Sequence, residues 1–597
     1  MRFKPLILAV LVFITGTNAF AQTNTNPLYK YIQPGSRMLM SFNLLKIAAK
    51  VPGETFRSSG MYQDMLKNDK GTLRALLADP TSSGIDFSTD FILSTGPAAD
   101  ENSATVLIGH LADQSKFAAL MEKMNESSDS KVQVFGTNRL ILPKRTEPAI
   151  AWNDEVFVIT GIGGGKKELS AVFSDTMDTR DMEVRMNEVI ERIHQQSKEL
   201  CFAALTPKAI GSPFTSAAFN NLMNEPGDIK IWNNGESRTN TKSLKKLPPF
   251  LTQFLSRIQA ANGSEKTSII NFEKGKIAGT VRTYLSPEMG AIYQKYPQEI
   301  LPTGLVRRLP EGKILMLMIS AVNKEMAREM SLKNGMAEMM DSVKQYLKLD
   351  LSLFQKGFKN SALMAIMEFP SKEETADTKK NFLENLGLFI VLPVADKAAV
   401  ARLKELADQK MDSMANTEKG EKMFRQFRPA ILYNDSLCVV ALSQAMAEAY
   451  LNNPGTANLP AWLPASQPGS MWMNFNFREI MMMVFNMTGK PGRGKDKQAM
   501  ELFSTFDQMI FTGGDFSNGS LNSRMEFRFS NPDKNVLEQL FELVNRISQD
   551  KAKAGSESFT PPVMVQDEEV MDAPKEAAPA KKKAPAKKPA AKTKGKN

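Results

Sequence analysis

The chain repeats one short pattern far apart in its length, and that repetition limits its architecture more than any other feature. Ala149-Ile150-Ala151-Trp152-Asn153-Asp154-Glu155-Val156-Phe157-Val158-Ile159 aligns with Ala430-Ile431-Leu432-Tyr433-Asn434-Asp435-Ser436-Leu437-Cys438-Val439-Val440. Each stretch reads as an apolar strand, an Asn-Asp turn and a second apolar strand. Asn and Asp tolerate the tight-turn conformations that a short hairpin demands. The elements before the hairpins also correspond. Thr105–Leu111, Ala112-Asp113 and an amphipathic run to Met124 parallel Leu388–Val394, Ala395-Asp396 and a run to Met411. Each predicts a strand feeding a helix capped by Asp, with Phe117, Leu120, Met121 and Met124 on the buried stripe of the first helix.

Two further correspondences extend the pattern. Gly275–Ser286 lines up with Gly519–Ser530 as a hairpin, with Pro287 and Pro532 expected at helix starts. Gln33-Pro34-Gly35-Ser36 leads into Met38–Asn43, Gln467-Pro468-Gly469-Ser470 into Met471–Asn476, and Pro310-Glu311-Gly312 into Leu315–Met318. Each reads as a turn, a strand of period 2, then a helix. These readings predict two α+β halves, 28–300 and 305–550, each of two strand–helix–hairpin modules. Open antiparallel sheets with helices on one face are the expected architecture.

The Gln33–Ile47 turn-strand-helix, the strand-Asp-helix at 105–124 and the Asn-Asp hairpin resemble a family of exported Bacteroidota proteins catalogued as domain of unknown function 4836. The resemblance covers most of 28–550 and rests on structural motifs. The family has no established activity, so it implies a fold and export but no catalytic residues. The lysine-rich C-terminus lies outside the shared pattern.

Export is also legible in the residues. Arg2 and Lys4, an apolar run from Leu6 to Ile14, and Ala19-Phe20-Ala21 before Gln22 form a signal peptide over 1–21. Thr15-Gly16-Thr17-Asn18 cuts the apolar run short of the ~20 residues a membrane span needs. The residue directly after the cleavage point is Gln22 and not a cysteine, which argues against a lipoprotein anchor. The mature chain is expected in the periplasm, at the cell surface or outside the cell. Cys201 and Cys438 are both expected in apolar strands as free buried thiols rather than as a long-range bridge.

The net charge of +10 is unevenly placed. Residues 575–597 hold nine lysines and one glutamate, and the signal peptide carries two more cations. Residues 551–574 are acidic, which leaves 22–550 close to neutral at +3. The segment 551–597, rich in Lys, Ala and Pro from 575, is too polar to bury a core and is expected to be disordered. Its lysines Lys581, Lys582, Lys583, Lys587, Lys588, Lys592, Lys594 and Lys596 form a polyanion-attracting stretch through counterion release. Without aromatics or arginine, that stretch has no means of base stacking or bidentate readout. The expected partners are lipopolysaccharide, acidic glycan, anionic lipid or extracellular DNA; the bland alternative is a solubilising spacer.

Little in the chain points to catalysis. His110 and His194 are its two histidines, the first ending a strand and the second within a polar helix over 182–197. No HExxH, GxSxG or paired CxxC occurs. Gly161-Ile162-Gly163-Gly164-Gly165-Lys166-Lys167 misses P-loop spacing and reads as a turn. Gly489–Lys497 reads as a solvated basic loop. The Met-x-Met pairs 38/40, 316/318 and 471/473 offer thioethers suited to Cu(I), yet alternate along apolar strands and read as core filler. No cofactor or metal is assigned. The expected role is a non-enzymatic binding or scaffold protein of the cell envelope. Its rival is an envelope enzyme or small-ligand-binding protein with a cleft between modules.

Overall fold

The computed structural model describes residues 26–554 apart from 60–61, 64–78, 98–102, 126–129, 143–147, 163–178, 209–215, 236–264, 334–350, 370–384, 416–428, 465–468 and 489–503. The chain divides into two units, Met1–Gln549 and Asp550–Asn597, and the fold below is that of the first. The signal segment, most of the glycine run 161–167, the loop 489–497 and the basic C-terminal residues lie outside the described residues.

The strands join into one antiparallel sheet of 18 strands rather than several. From one edge to the other the order is β4 (Val132–Phe135), β5 (Asn138–Ile141), β6 (Ala149–Trp152), β7 (Val156–Ile162), β3 (Ser103–His110), β2 (Phe91–Pro97), β1 (Met38–Phe42), β8 (Ile229–Asn233), β9 (Lys266–Glu273) and β10 (Lys276–Tyr284). It continues through β18 (Ser520–Phe529), β17 (Phe506–Ser517), β16 (Met471–Phe475), β11 (Lys313–Ala321), β12 (Ser361–Glu368), β13 (Leu386–Pro393), β15 (Leu437–Ala441) and β14 (Ala430–Tyr433). With the edge strands β4 and β5 set aside, 6-7-3-2-1-8-9-10 faces 14-15-13-12-11-16-17-18. The two runs meet where β10 pairs with β18 from Lys276↔Arg528 to Tyr284↔Ser520.

Local chemistry makes the strands turn where they do. In both Asn-Asp hairpins the Asn side chain accepts two backbone N–H bonds across the turn: Glu155 and Val156 donate to Asn153 Oδ1, and Ser436 and Leu437 to Asn434 Oδ1, all at 2.9 Å. Asn518 and Gly519 both take positive φ, which closes the β17–β18 hairpin as a type I′ turn. Asp113 and Asp396 cap the helices Gln114–Asn125 and Lys397–Ala415 through the N–H groups of Lys116 and Ala399. The expected helix at Pro532 starts later, at Val536. Asn531 draws the intervening residues into a side-chain turn, accepting from the N–H of Asp533 and Lys534.

Helices pack on both faces of the sheet, not on one. Alternation along the strands separates two cores. Val106, Ile108, Ala149, Ala151, Val156 and Val158 point to the face covered by the helices Thr179–Leu205 and Ala217–Asn224. Ile150, Trp152, Phe157 and Ile159 point the other way, against Phe117, Leu120 and Met121 of the helix Gln114–Asn125. Hydrophobic positions fill both sides because each strand is sandwiched, so alternation of polar and apolar residues is lost there. The later strands repeat the scheme. Leu317, Ile319, Leu363, Phe389 and Val439 pack with Tyr450 of the helix Gln444–Asn452, while Phe358, Val394, Val400 and Cys438 pack on the reverse face.

Two sequence readings of side-chain placement change. Cys201 lies in the helix Thr179–Leu205, not in a strand, whereas Cys438 is in β15. Both are free and buried, as expected, and burial pushes their thiols up to about 12 and about 11. The Met-x-Met residues do alternate on one face of β1, β11 and β16, but that face is half-buried. The fully buried positions are their neighbours Leu39, Leu315, Leu317 and Trp472.

Among the described residues no helix is long and apolar enough to cross a membrane.

Gly84 locks the strand-to-helix junction. Its carbonyl accepts from Ala112 and Asp113 at 2.9 and 3.0 Å, as Gly357's does from Ala395 and Asp396 at 2.7 and 3.2 Å. At Gly84 φ is +73°, and a Cβ would lie 2.1 Å from the Asp113 carbonyl oxygen. Gly84→Ala is expected to cost about 2 kcal/mol or more. Gly136→Ala, at φ +61° with open space around it, is expected to cost about 1 kcal/mol. Thermal melts followed by circular dichroism compare the two.

Candidate functional site

One cluster of polar residues that the fold brings together lies at the tip of the first Asn-Asp hairpin. Pro27–Tyr31 forms a 3-10 turn capped by Asn26, and that turn sets Lys30 and Tyr31 over the hairpin. Lys30 Nζ donates to Glu155 Oε1 at 2.6 Å, and Tyr31 Oη donates to Glu155 Oε2 at 2.7 Å. The C-terminal end of the helix Thr179–Leu205 joins the same hub. Lys208 Nζ donates to the Ala203 carbonyl at 2.9 Å and to Gln33 Oε1 at 2.6 Å, and its backbone N–H donates to the Lys30 carbonyl at 2.7 Å. A cation on those unsatisfied carbonyls suits the negative end of a helix.

The electrostatics follow from this geometry. Burial raises the Glu155 carboxyl pKa, but hydrogen bonds from Lys30 and Tyr31 and the charge of Lys30 outweigh it, so the net shift is downward. Burial, then the bond to Glu155, push the Tyr31 phenol well above its ordinary value. Tyr31 therefore acts as a donor and not as a phenolate. Asp86 Oδ2 lies 3.2 Å from His110 Nδ1 without the alignment of a hydrogen bond. Both oxygens of Glu155 accept bonds from Lys30 and Tyr31, so the hub is built as a clasp between the N-terminal turn, the hairpin and the helix end. It does not present an activated nucleophile.

The second hairpin keeps the turn and replaces the clasp. Ser436 stands where Glu155 does, and Lys397 pairs with Asp435 at 2.6 Å on the open surface, a class of contact worth little. There the 3-10 turn Thr303–Arg308 is held instead by Tyr450 Oη donating to the Leu305 carbonyl at 2.6 Å and Arg308 Nη1 to the Asn453 carbonyl at 2.8 Å.

His194 falls elsewhere, in a helix longer than the sequence predicts, Thr179–Leu205 rather than 182–197. It lines an open cleft of about 340 Å³ with Glu191, Gln195 and Lys198 of its own helix, and with Gln133 and Leu142 of the β4–β5 edge. His194 Nε2 is buried there without a hydrogen-bond partner. The cleft has room for a small polar or anionic group and is the described cavity closest to the rival ligand-binding reading. The two histidines are thus in separate surroundings. Among the described residues no group of three or more His, Cys, Asp or Glu could hold a metal ion.

The expected polyanion-binding lysines from Lys581 to Lys596, and Gly163–Lys167 of the glycine run, lie outside the described residues. Lys30, Tyr31, Glu155 and Lys208 were not singled out by the sequence. The usable signal was Glu155 itself, a charged residue where the matching turn has Ser436.

No family model matches the chain, and no curated protein matches it. Solved structures titled crystal forms III and I of TP0453 resemble it at TM-scores of 0.23 and 0.21, with 10% and 9% identity. They cover 47% of this chain and 90% and 89% of those chains. Similarity at that level carries no argument about fold or function.

Glu155's depressed pKa gives a signed prediction. A carboxyl lowered in the folded state adds stability above its ordinary pKa of 4.5, and that stability is lost as pH falls through the folded value. Glu155→Gln is expected to lower the melting temperature at neutral pH, with the difference from wild type closing at pH values below 4.5. A series of melts across pH reads it directly.

Proposed function

We propose that this protein is an exported, non-enzymatic scaffold or binding protein of the cell envelope, held near anionic material by its lysine-rich C-terminus. The observation that carries the reading is the segregation of charge. Residues 575–597 concentrate nine lysines, while 22–550 is nearly neutral. Within the sheet unit many charged side chains face one another in ion pairs: Lys50–Asp228, Arg282–Glu225, Lys276–Glu526, Lys534–Glu542 and Lys30–Glu155. Charges tied up in this way hold strands and helices together, whereas a stretch with nine lysines and one glutamate attracts external polyanions. The polyanion would be lipopolysaccharide, acidic glycan, anionic lipid or extracellular DNA. The periplasm or the cell surface is the proposed location, following from the signal segment.

We also read the two halves, 28–300 and 305–550, as copies of one unit. The matched strand orders, the paired Asx turns and the paired Gly84 and Gly357 junctions support that reading. The second functional reading, a small-ligand-binding protein, is favoured by the cleft beside His194.

Two measurements test the proposal. Full-length protein and a chain ending at Pro574 are compared for binding to lipopolysaccharide and to anionic vesicles at 50 and 200 mM salt. The full chain is expected to bind with strong salt dependence, and the shortened chain at least tenfold more weakly; equal binding would discard the tether. Mass spectrometry of the protein made in an exporting host is expected to find an N-terminus at Gln22.

A further inference from the structure

Three methionines stand side by side across the half-buried face of the sheet. Met318 of β11 is directly opposite Met364 of β12 and directly opposite Met473 of β16. Directly opposite side chains in an antiparallel sheet share a face and begin about 5 Å apart at Cβ. The outer two strands are separated by two spacings of about 4.8 Å, which flexible thioether arms can close over the central one. Met316 follows two residues along on the same face, opposite Ile366 and Phe475. The row continues into Ile390 on β13 beside Met364, and into Phe511 on β17 beside Met473. Three thioethers in one line are therefore bounded by apolar side chains, with no carboxylate in the row.

Core filling does not account for this choice of residue. On the same three strands the opposite face holds Leu317, Ile319, Leu363, Ala365 and Trp472, all at 0–1% exposure. The dense core is there, built from aliphatic and aromatic residues. The methionines occupy the half-buried side, where β-branched and aromatic residues would suit a strand better. Above that side runs the helix Phe477–Thr488, whose Phe477 ring packs on Phe475 at 4.8 Å and on Phe527 at 6.5 Å. Met481 lies one turn on from Phe477, on the same side of the helix.

We propose that Met318, Met364 and Met473 form a binding site for a soft monovalent cation, Cu(I) or Ag(I), coordinated through their sulfurs. Neutral thioethers favour soft ions, and the lack of a carboxylate in the row denies hard divalent cations the charge they require. The three residues are only partly buried, so this face is reachable from solvent. Binding is a simple coordination, with no change of oxidation state and no bond broken in the protein.

The test uses the full chain and a Met318→Leu/Met364→Leu/Met473→Leu variant, leucine being a near-isosteric replacement. Under ascorbate, each is titrated against the Cu(I) complex of a chromogenic bathocuproine chelator, and Ag(I) binding is followed by native mass spectrometry. Wild type is expected to withdraw one Cu(I) and to retain one Ag(I); the variant is expected to withdraw at least tenfold less. Wild type that leaves the chelator complex intact overturns the proposal, and so does a variant that binds as wild type does, which would place any bound metal at other methionines. Should the triple variant melt far below wild type, Met318→Leu alone, at the centre of the row, is held to the same tenfold criterion.

Discussion

Nine residues of β10, Lys276 to Tyr284, run antiparallel against β18 from Arg528 to Ser520. Ten strands lie on one side of that pairing and eight on the other. Without it the sheet would present two long open edges, each a row of unpaired amide and carbonyl groups ready to pair with another chain. The ends of both flanking hairpins reinforce the seam from opposite directions: Phe529 N–H donates to the Gly275 carbonyl at 2.8 Å, and Leu285 N–H to the Gly519 carbonyl at 3.3 Å. Each turn therefore serves its own hairpin and also terminates its counterpart.

Outward from the seam, a buried tryptophan stands on a strand on each side. Trp232 on β8 faces Leu39 of β1, and Trp472 on β16 faces Ile319 of β11. Trp232 meets Phe219 edge-on at 6.1 Å, while Trp472 stacks flat on Trp462 at 5.3 Å. Strand order runs in parallel on the two sides of the seam, while the polar contacts that fasten the 3-10 turns Pro27–Tyr31 and Thr303–Arg308 differ. Specific chemistry of this protein is thus more readily sought in what differs, such as the Glu155 clasp or the methionine row, than in the shared frame.

Much of that frame could be read from the residues. Turn chemistry is local, so Asn153, Asn434, Asp113 and Asp396 announce their hairpins and helices without tertiary context. Alternation likewise reveals β1, β11 and β16. What the residues could not convey was the partner of each strand. A period of two says that Met316 and Met318 share a face, but only cross-strand register brings Met364 and Met473 beside them. The same limit explains the misplaced helices: strands apolar on both sides, such as Ala149–Trp152, signal burial on two faces and carry no mark of which helix covers which. Cys201 was misassigned because a short apolar context, Leu200-Cys201-Phe202-Ala203, reads alike in a buried strand and a buried helix stripe. The clasp at Glu155 required residues 124 and 125 positions apart to meet, which no local pattern encodes.

The seam also sets an order on assembly. β10 is complete once residue 284 has been made, yet its partner ends at Phe529, more than two hundred residues later in the chain. Closing so large a loop is slow relative to forming local hairpins. During synthesis, the first ten strands can pair among themselves while β10 waits as an uncovered edge. Holding that edge from other chains until the last hairpin arrives is a task for holdase chaperones or for rapid collapse of the later strands.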